Sequence, residues 1–334
     1  MNIPATLDEA RSETWLSSIL GEDVIHVVSG PVDNRVSTNA PVRVTLADGR
    51  DLDLWIKGYF TEAGGLLRFA GVPEAHFYRD LVDHAGVRTL RCLHAEVDPV
   101  TSNNVVVTVD AGPVTFPDGR EPLTPDLVAR SLGELAKLHA ATWMNPACAA
   151  PWLTSRLSLY TISRGLAEIR QNFDGELGAG VPLAARNGER LIAAFQGLAT
   201  EVEAADPWCV VHGDAHIRNI FIDATGSPSF IDWQLVQRGP WYLDVGYHIA
   251  TMLSVDDRRE HQDALVRGYL DRLVSAGVPR PDDREVERGL RRSFVHGFYL
   301  WAITLRVDPL VIAALLERLG TAVADHDAYE ELAP

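Results

Sequence analysis

The sequence predicts an α+β protein of two lobes, a small β-sheet lobe with one main helix and a larger, mostly helical lobe. Three observations predict it. Strand-like alternation fills residues 24 to 60, helical periodicity dominates after residue 124, and a short polar hairpin region, Cys209 to Tyr247, interrupts the helices. A length of 334 residues suits two such bodies. The boundary is expected at Asp110, with residues 1–110 in the first lobe and 111–334 in the second.

The elements follow in chain order. Val24 to Val28 is apolar, and a turn-rich stretch, GPVDNRVSTNAP, follows. Val42 to Leu46 alternates apolar with polar, and Ala47-Asp48-Gly49-Arg50 supplies a hairpin turn. Leu52, Leu54 and Ile56 then share one face, which puts Lys57 on the other. Pro73-Glu74 opens a helix that runs through His76, Phe77, Tyr78, Leu81 and Val82. Val105 to Val109 reads as a buried strand, and Asp110-Ala111-Gly112-Pro113 as a hinge. Thr124-Pro125-Asp126 is a helix start, a capping hydroxyl followed by proline at the first helical position. The helix places Leu132, Leu135, Leu138 and His139 on one stripe. Residues 161–205 and 258–325 continue the helical period.

Composition narrows the function classes. The net charge is −16, with the acid spread along the chain, so nucleic acid and anionic membrane are excluded as expected partners. The three cysteines, Cys92, Cys148 and Cys209, form no C-x-x-C pair, which speaks against zinc and disulfides and for a reducing, cytoplasmic setting. The first residues carry acid where a secretory signal carries base, and the apolar run Phe294 to Leu305 is too short to span a bilayer. Among 30 cationic side chains only two are lysines, Lys57 and Lys137. Arginine is a planar fork and lysine a compact point charge, so a retained lysine needs a reason. Lys137 lies on a helix and reads as surface; Lys57 does not.

The segment VVHGDAHIRNIFIDATGSPSFIDWQL carries the chemistry. His212-Gly213-Asp214 follows a short strand, and Asn219 comes five residues after Asp214. Ile220-Phe221-Ile222 and Phe230-Ile231 flank a turn, and Asp232 ends the second of these strands. Asp214, Asn219 and Asp232 therefore lie at one end of one hairpin. Three short oxygen-bearing side chains so placed suit magnesium, a hard ion that takes oxygen ligands and phosphates. H-x-D-x-x-x-x-N followed by an aspartate after an apolar pair matches a kinase catalytic loop and its metal-binding aspartate. In that scheme Asp214 accepts a hydroxyl proton, Asn219 and Asp232 hold the metal, and Lys57 pairs with nucleotide phosphates, oriented by Glu74.

HGDAHIRN, the IDW that follows, LAKLHAATW and the Lys57/Glu74 pair resemble the aminoglycoside phosphotransferase and choline kinase family over most of the chain. The resemblance implies a protein-kinase-like fold, ATP or GTP as donor, Mg2+, and a hydroxyl of a small molecule as acceptor: an aminoglycoside-like antibiotic, an amino alcohol or another metabolite. Two departures stand out. No G-x-G-x-x-G is present, so the phosphate-covering loop is expected at Gly30 to Asn39 with Ser37, Thr38 and Asn39 near its tip. The region Val107 to Asp110 lacks an acidic pair, so adenine or guanine contacts there, Asp110 included, would use mainly backbone.

Each residue also has a plainer reading. Asp214, Asn219 and Asp232 singly suit turns; jointly, with both spacings, they point to a site. His212 is expected to orient the loop, His216 to pack or to bridge near the phosphates, and Asp244 to fix backbone after the metal loop. Glu62 competes with Glu74 as the partner of Lys57. Trp233, Gln234, His296 and Tyr299 are candidates to line the acceptor site, with Trp143, Trp152, Tyr160 and Trp301 also available, although an aromatic stripe commonly packs a core. His139 and His296 sit on apolar helix faces. A protein kinase is disfavoured because the eleven residues between Asp232 and Asp244 hold no Ser or Thr. A nucleotide-binding pseudokinase scaffold is the rival from another class. The oligomeric state stays open.

Overall fold

The computed structural model describes residues 3–163, 165–330 and 332. The chain divides into two compact units. The first comprises Met1–His84, Thr89–Val114 and Ile231–Val236; the second comprises Ala85–Arg88, Thr115–Phe230 and Gln237–Pro334.

The first unit begins with two short helices, α1 (Leu7–Ala10) and α2 (Glu13–Leu20), capped by Thr6 and Ser12. Its antiparallel sheet contains β1 (Val24–Ser29), β2 (Asp33–Asn34), β3 (Thr38–Leu46), β4 (Asp51–Gly58), β5 (Cys92–Val97) and β6 (Asn104–Val109). The spatial order is β1-β3-β4-β6-β5, with β2 paired to β3. The period of two sorts the side chains. Ala40, Val42, Val44 and Leu46 of β3, Leu54 and Ile56 of β4, and Val105 and Val107 of β6 pack with Ala10 and Leu16 of the two helices. Lys57 falls on the opposite face, paired in register with Asn39 and Val106.

Between β4 and β5 run α3 (Glu62–Gly65), a 3-10 turn (Arg68–Ala70) and a helix with a wide turn in its middle. That helix is α4 (Val72–His76), a π turn (Phe77–Leu81) and α5 (Val82–Ala85). The periodicity predicts one uninterrupted helix, and the π turn breaks it. The wider turn leaves Phe77, Tyr78 and Leu81 all buried. A second correction concerns residues 37–39. Asp33 pairs with Asn39 and Asn34 with Thr38, so the tip of the turn is Arg35–Val36–Ser37. Thr38 and Asn39 are strand residues instead.

The second unit contains α6 (Pro125–Thr142), α7 (Leu157–Ser163), α8 (Leu166–Phe173), α9 (Gly188–Glu203), α10 (Tyr242–Met252), α11 (Val255–Ser275), α12 (Asp283–Ala302) and α13 (Pro309–Asp325). Thr124 caps α6 by accepting from the Leu127 amide, with Pro125 at the first turn. The long helical stretches read from periodicity are broken where Gly175, Gly178, Gly180 and Pro182 fall, and again at Gly277-Val278-Pro279 and Pro309. Two small strand pairs interrupt the helices: β7 (Cys209–Val211) with β10 (Gln237–Gly239), and β8 (Ile220–Ile222) with β9 (Pro228–Phe230). The turn of the latter hairpin is tied by Asp223, which accepts from the amides of Thr225 and Ser227.

Helices α10 and α12 approach closely because glycines face large neighbours. A Cβ at Gly246 would sit 2.8 Å from Ser293, and one at Gly297 would overlap the ring of Tyr247. Every residue of α10 from Leu243 to Met252 is buried. Among the described residues no helix is long and apolar enough to cross a membrane.

Candidate active site

In the first unit the sheet and α4 bring Lys57 and Glu74 together. Lys57 Nζ lies 2.6 Å from Glu74 Oε2 and 3.0 Å from Asp232 Oδ1. Glu62, the competing partner, forms no ion pair with Lys57. Burial disfavours the Lys57 charge, but Asp232 and Glu74 outweigh it and hold the ammonium above its ordinary pKa. Glu74, at 5% side-chain exposure, is pushed up by burial against the pull of Lys57, and the Trp233 amide hydrogen-bonds its carboxylate. Asp232 adopts φ 63°, the left-handed region that aspartate tolerates better than most residues.

The other predicted residues of this unit divide clearly. Asn39 stands beside Lys57 on the ladder, whereas Ser37 and Thr38 are buried. The Asp110 carboxylate accepts from Trp55 Nε1 at 2.6 Å and from the Gly112 amide at 2.7 Å, which ties it to its own turn. Trp233 has no exposed surface: it stacks on Phe77 with centroids 3.8 Å apart and donates through Nε1 to Thr89 Oγ1 at 2.9 Å. It is a core residue, which corrects its expected place in an acceptor lining. Gln234 donates to the Tyr59 hydroxyl at 3.2 Å.

In the second unit β7 delivers the loop His212–Gly213–Asp214. Gly213 has φ 78°, a conformation that costs glycine nothing and other residues much. The backbone of this loop is held from two helices, α10 and α12. Asp244 of α10 accepts from the amides of His212 (2.7 Å) and Gly213 (2.9 Å). His296 of α12 donates through Nε2 to the Gly213 carbonyl at 2.9 Å. His248 donates through Nδ1 to the Ala215 carbonyl at 2.7 Å, and burial pushes its pKa down to about 4, so it is neutral. Asp244 thus fixes the loop before the hairpin rather than chain after Asp232. His139 of α6 supports it from behind, with Nε2 3.1 Å from Asp244 and Nδ1 2.7 Å from the Tyr269 hydroxyl.

Asp214 keeps 23% side-chain exposure. Its Oδ1 accepts from the Tyr247 hydroxyl at 2.9 Å, and its Oδ2 accepts from Asn219 Nδ2 at 3.2 Å. Asn219 Nδ2 also donates to the Asp214 carbonyl at 2.9 Å. His216 accepts the Arg218 amide at Nδ1, which places its proton on Nε2, 3.5 Å from Asp214 Oδ2. Burial raises the Asp214 carboxyl, but His216 first, then His212 and Tyr247, overcome it and leave it below the ordinary carboxylate range. His212 Nδ1 accepts the Asp214 amide at 3.2 Å. Tyr247 in turn accepts from Trp301 Nε1 at 2.8 Å.

Tyr299, expected to line an acceptor site, is fully buried and stacks on Phe195 with centroids 3.8 Å apart, so it too is core. The sequence reading passed over Tyr247 as a site residue. The signal was present: Asp244, Tyr247 and His248 are spaced i, i+3, i+4 on one helix, so all three reach the same loop.

A strand-rich unit with a buried lysine–glutamate pair and a helical unit with a fixed His-Gly-Asp loop are the two parts of a kinase-like enzyme. Residues 72–288, more than half of the chain, match the phosphotransferase enzyme family, APH, and the chain belongs to that family. No curated protein matches the sequence. Several solved structures share the fold at low identity. A Ralstonia eutropha protein assigned as an aminoglycoside phosphotransferase is 12% identical, with TM-score 0.57 and 96% of each chain covered. An aminoglycoside 2'-phosphotransferase-IIIa, solved as a GDP complex, is 14% identical, with TM-score 0.52, covering 93% of this chain and 97% of that one. A Plasmodium vivax ethanolamine kinase is 13% identical, with TM-score 0.51, covering 89% and 81%.

Proposed function

We propose that this enzyme moves the γ-phosphoryl group of ATP or GTP to a hydroxyl of a small molecule, with Mg2+. The observation that carries the reading is the Asp214 carboxylate: ionised, partly exposed, and held at both oxygens on a loop pinned from α10 and α12. A carboxylate so held orients an acceptor hydroxyl and takes its proton as the oxygen attacks. Phosphoryl transfer asks little covalent work of the protein and much positioning, which is what a rigid loop supplies.

Lys57 supplies a compact positive charge for the nucleotide phosphates, and Glu74 fixes the direction of its stem. Asp232 and Asn219 would hold the magnesium. The donor set fits: Asp232 keeps 41% side-chain exposure, and Asn219 Nδ2 is committed to Asp214, which leaves its carbonyl oxygen for a hard cation. When bound, the ion screens the charge of the transferring phosphate. His212, His216 and Asp244 keep the loop and the Asp214 charge in place. Asn39, beside Lys57, belongs with the nucleotide residues; Ser37, Thr38 and Asp110 contribute there through backbone. The fold relatives that phosphorylate aminoglycosides or ethanolamine favour an antibiotic, amino alcohol or other hydroxylated metabolite as acceptor.

Donor consumption measured with magnesium across a panel of hydroxylated compounds tests the reading. Turnover should fall by about 10²- to 10⁴-fold in Asp214→Ala while nucleotide binding stays nearly intact. Turnover close to wild type in that variant removes Asp214 as the base, and nucleotide bound by the wild type without any turnover makes the chain a scaffold.

A further inference from the structure

The surroundings of Asp214 bear on the charge of the acceptor, an inference that rests on the phosphotransferase reading. Arg156 immediately precedes α7, and its amide donates to Gln237 Oε1 at 2.9 Å. Gln237 pairs with Val211, the residue before His212. The chain at Arg156 is therefore tied to the strand pair that delivers the Asp214 loop. Tyr160 stands one helical turn further on; the Arg156 guanidinium hydrogen-bonds its hydroxyl, which also senses the Asp214 carboxylate.

Arg156 Nε is buried without a hydrogen-bond partner, and so is Oγ of the adjacent Ser155. None of the ion pairs among the described residues includes Arg156. Buried polar atoms left unmet are unfavourable and call for an explanation, and here two adjacent residues each leave one while the Arg156 guanidinium is steadied by Tyr160. A guanidinium presents a planar fork that matches an oxyanion. A chain of net charge −16 otherwise repels anions, so attraction here has to be local.

We infer that Arg156, helped by Ser155, recognises an anionic group, a carboxylate or a phosphate, on the hydroxylated acceptor that is phosphorylated beside Asp214. The inference narrows the acceptors named above to those that carry an anionic group. A cationic amino sugar brought to this place would meet a guanidinium.

Glucose, glucosamine, gluconate and glucose 6-phosphate vary the charge on one small scaffold. Donor consumption on each gives kcat and KM, and a nucleotide-dependent shift in Tm reports donor binding. At least one of the two anions should exceed glucose in kcat/KM by roughly 10- to 100-fold, with glucosamine the poorest. Which anion leads separates carboxylate from phosphate. Arg156→Gln should erase the preference through KM rather than kcat, and Arg156→Lys should restore part of it. Equal rates on all four, zero included, or a preference for glucosamine, with the nucleotide shift intact, overturns the anionic acceptor alone. Absence of the nucleotide shift in the wild type overturns the phosphotransferase reading instead.

Discussion

Asp214 and Asp244 lie in the same unit, both are held by several donors, and both carboxyls sit below the ordinary range although burial pushes each of them up. Their surroundings give them opposite work. Asp244 has no exposure, and its oxygens are taken by two backbone amides and His139. Asp214 retains exposure and is held by side chains alone, a tyrosine hydroxyl on one oxygen and an asparagine amide on the other. A carboxylate saturated by backbone builds a loop. One steadied at each oxygen and still open can meet a substrate. Ionisation by itself does not distinguish them; the identity of the donors does.

The sharpest way to break the comparison is to remove each carboxylate in turn. Asp214→Ala should lower kcat by about 10²- to 10⁴-fold, the range ascribed to a positioned base, and leave the urea midpoint close to wild type. Asp244→Ala should act through the fold. It strands the amides of His212 and Gly213 and the ring of His139 in a dry interior, and the expected loss is about 3 to 5 kcal/mol in urea unfolding. If the two variants exchanged these phenotypes, the division of labour drawn from their donors would be wrong.

A smaller effect is expected from a residue that touches neither carboxylate. Gly297 lies beside His296 on α12, and a methyl group there overlaps the ring of Tyr247. Gly297→Ala should push Tyr247 away from Asp214 Oδ1 while sparing Asp244. We expect about a tenfold fall in kcat and about 1 to 3 kcal/mol of destabilisation. A loss of stability with kcat unchanged would show that Tyr247 does not position the base.

How far this contrast was legible beforehand follows from where each residue comes from. Asp214, Asn219 and Asp232 are close in sequence, and short strands fix their spacing, so the hairpin could be read from one segment. Lys57 stood out through the scarcity of lysine, and the helix at Glu74 through Pro73. The donors that divide Asp214 from Asp244 come from elsewhere: Tyr247 from α10, Trp301 and His296 from α12, His139 from α6. Which face of a helix meets a loop depends on packing between helices, and here on glycines whose missing side chains let α10 and α12 close up. Periodicity reports that a face is buried and not what it is buried against, which is why Trp233 and Tyr299 looked available and are core. The misplacement of Thr38 and Asn39 has a local cause, since a two-residue strand such as β2 leaves no alternation to read.

The mildest perturbation sharpens the comparison through protonation. His216 caps the turn Ile217–Asn219 by accepting the Arg218 amide, and its other nitrogen faces Asp214. Asparagine at 216 can keep the cap through its side-chain oxygen and removes the imidazole from Asp214. Burial, the largest influence on this carboxyl, then acts with less opposition, so the Asp214 pKa rises. A base must be ionised, so the acid limb of kcat/KM should move to higher pH in His216→Asn, measured from about pH 3 to about pH 8. Stability follows the same sign. In the wild type a depressed Asp214 pKa contributes stability above the unfolded carboxylate value, and that contribution is lost as pH falls through the folded one. The variant should show less of it, with urea midpoints converging on wild type at low pH. An acid limb that stays in place would mean that His212 and Tyr247, without His216, hold the charge on Asp214.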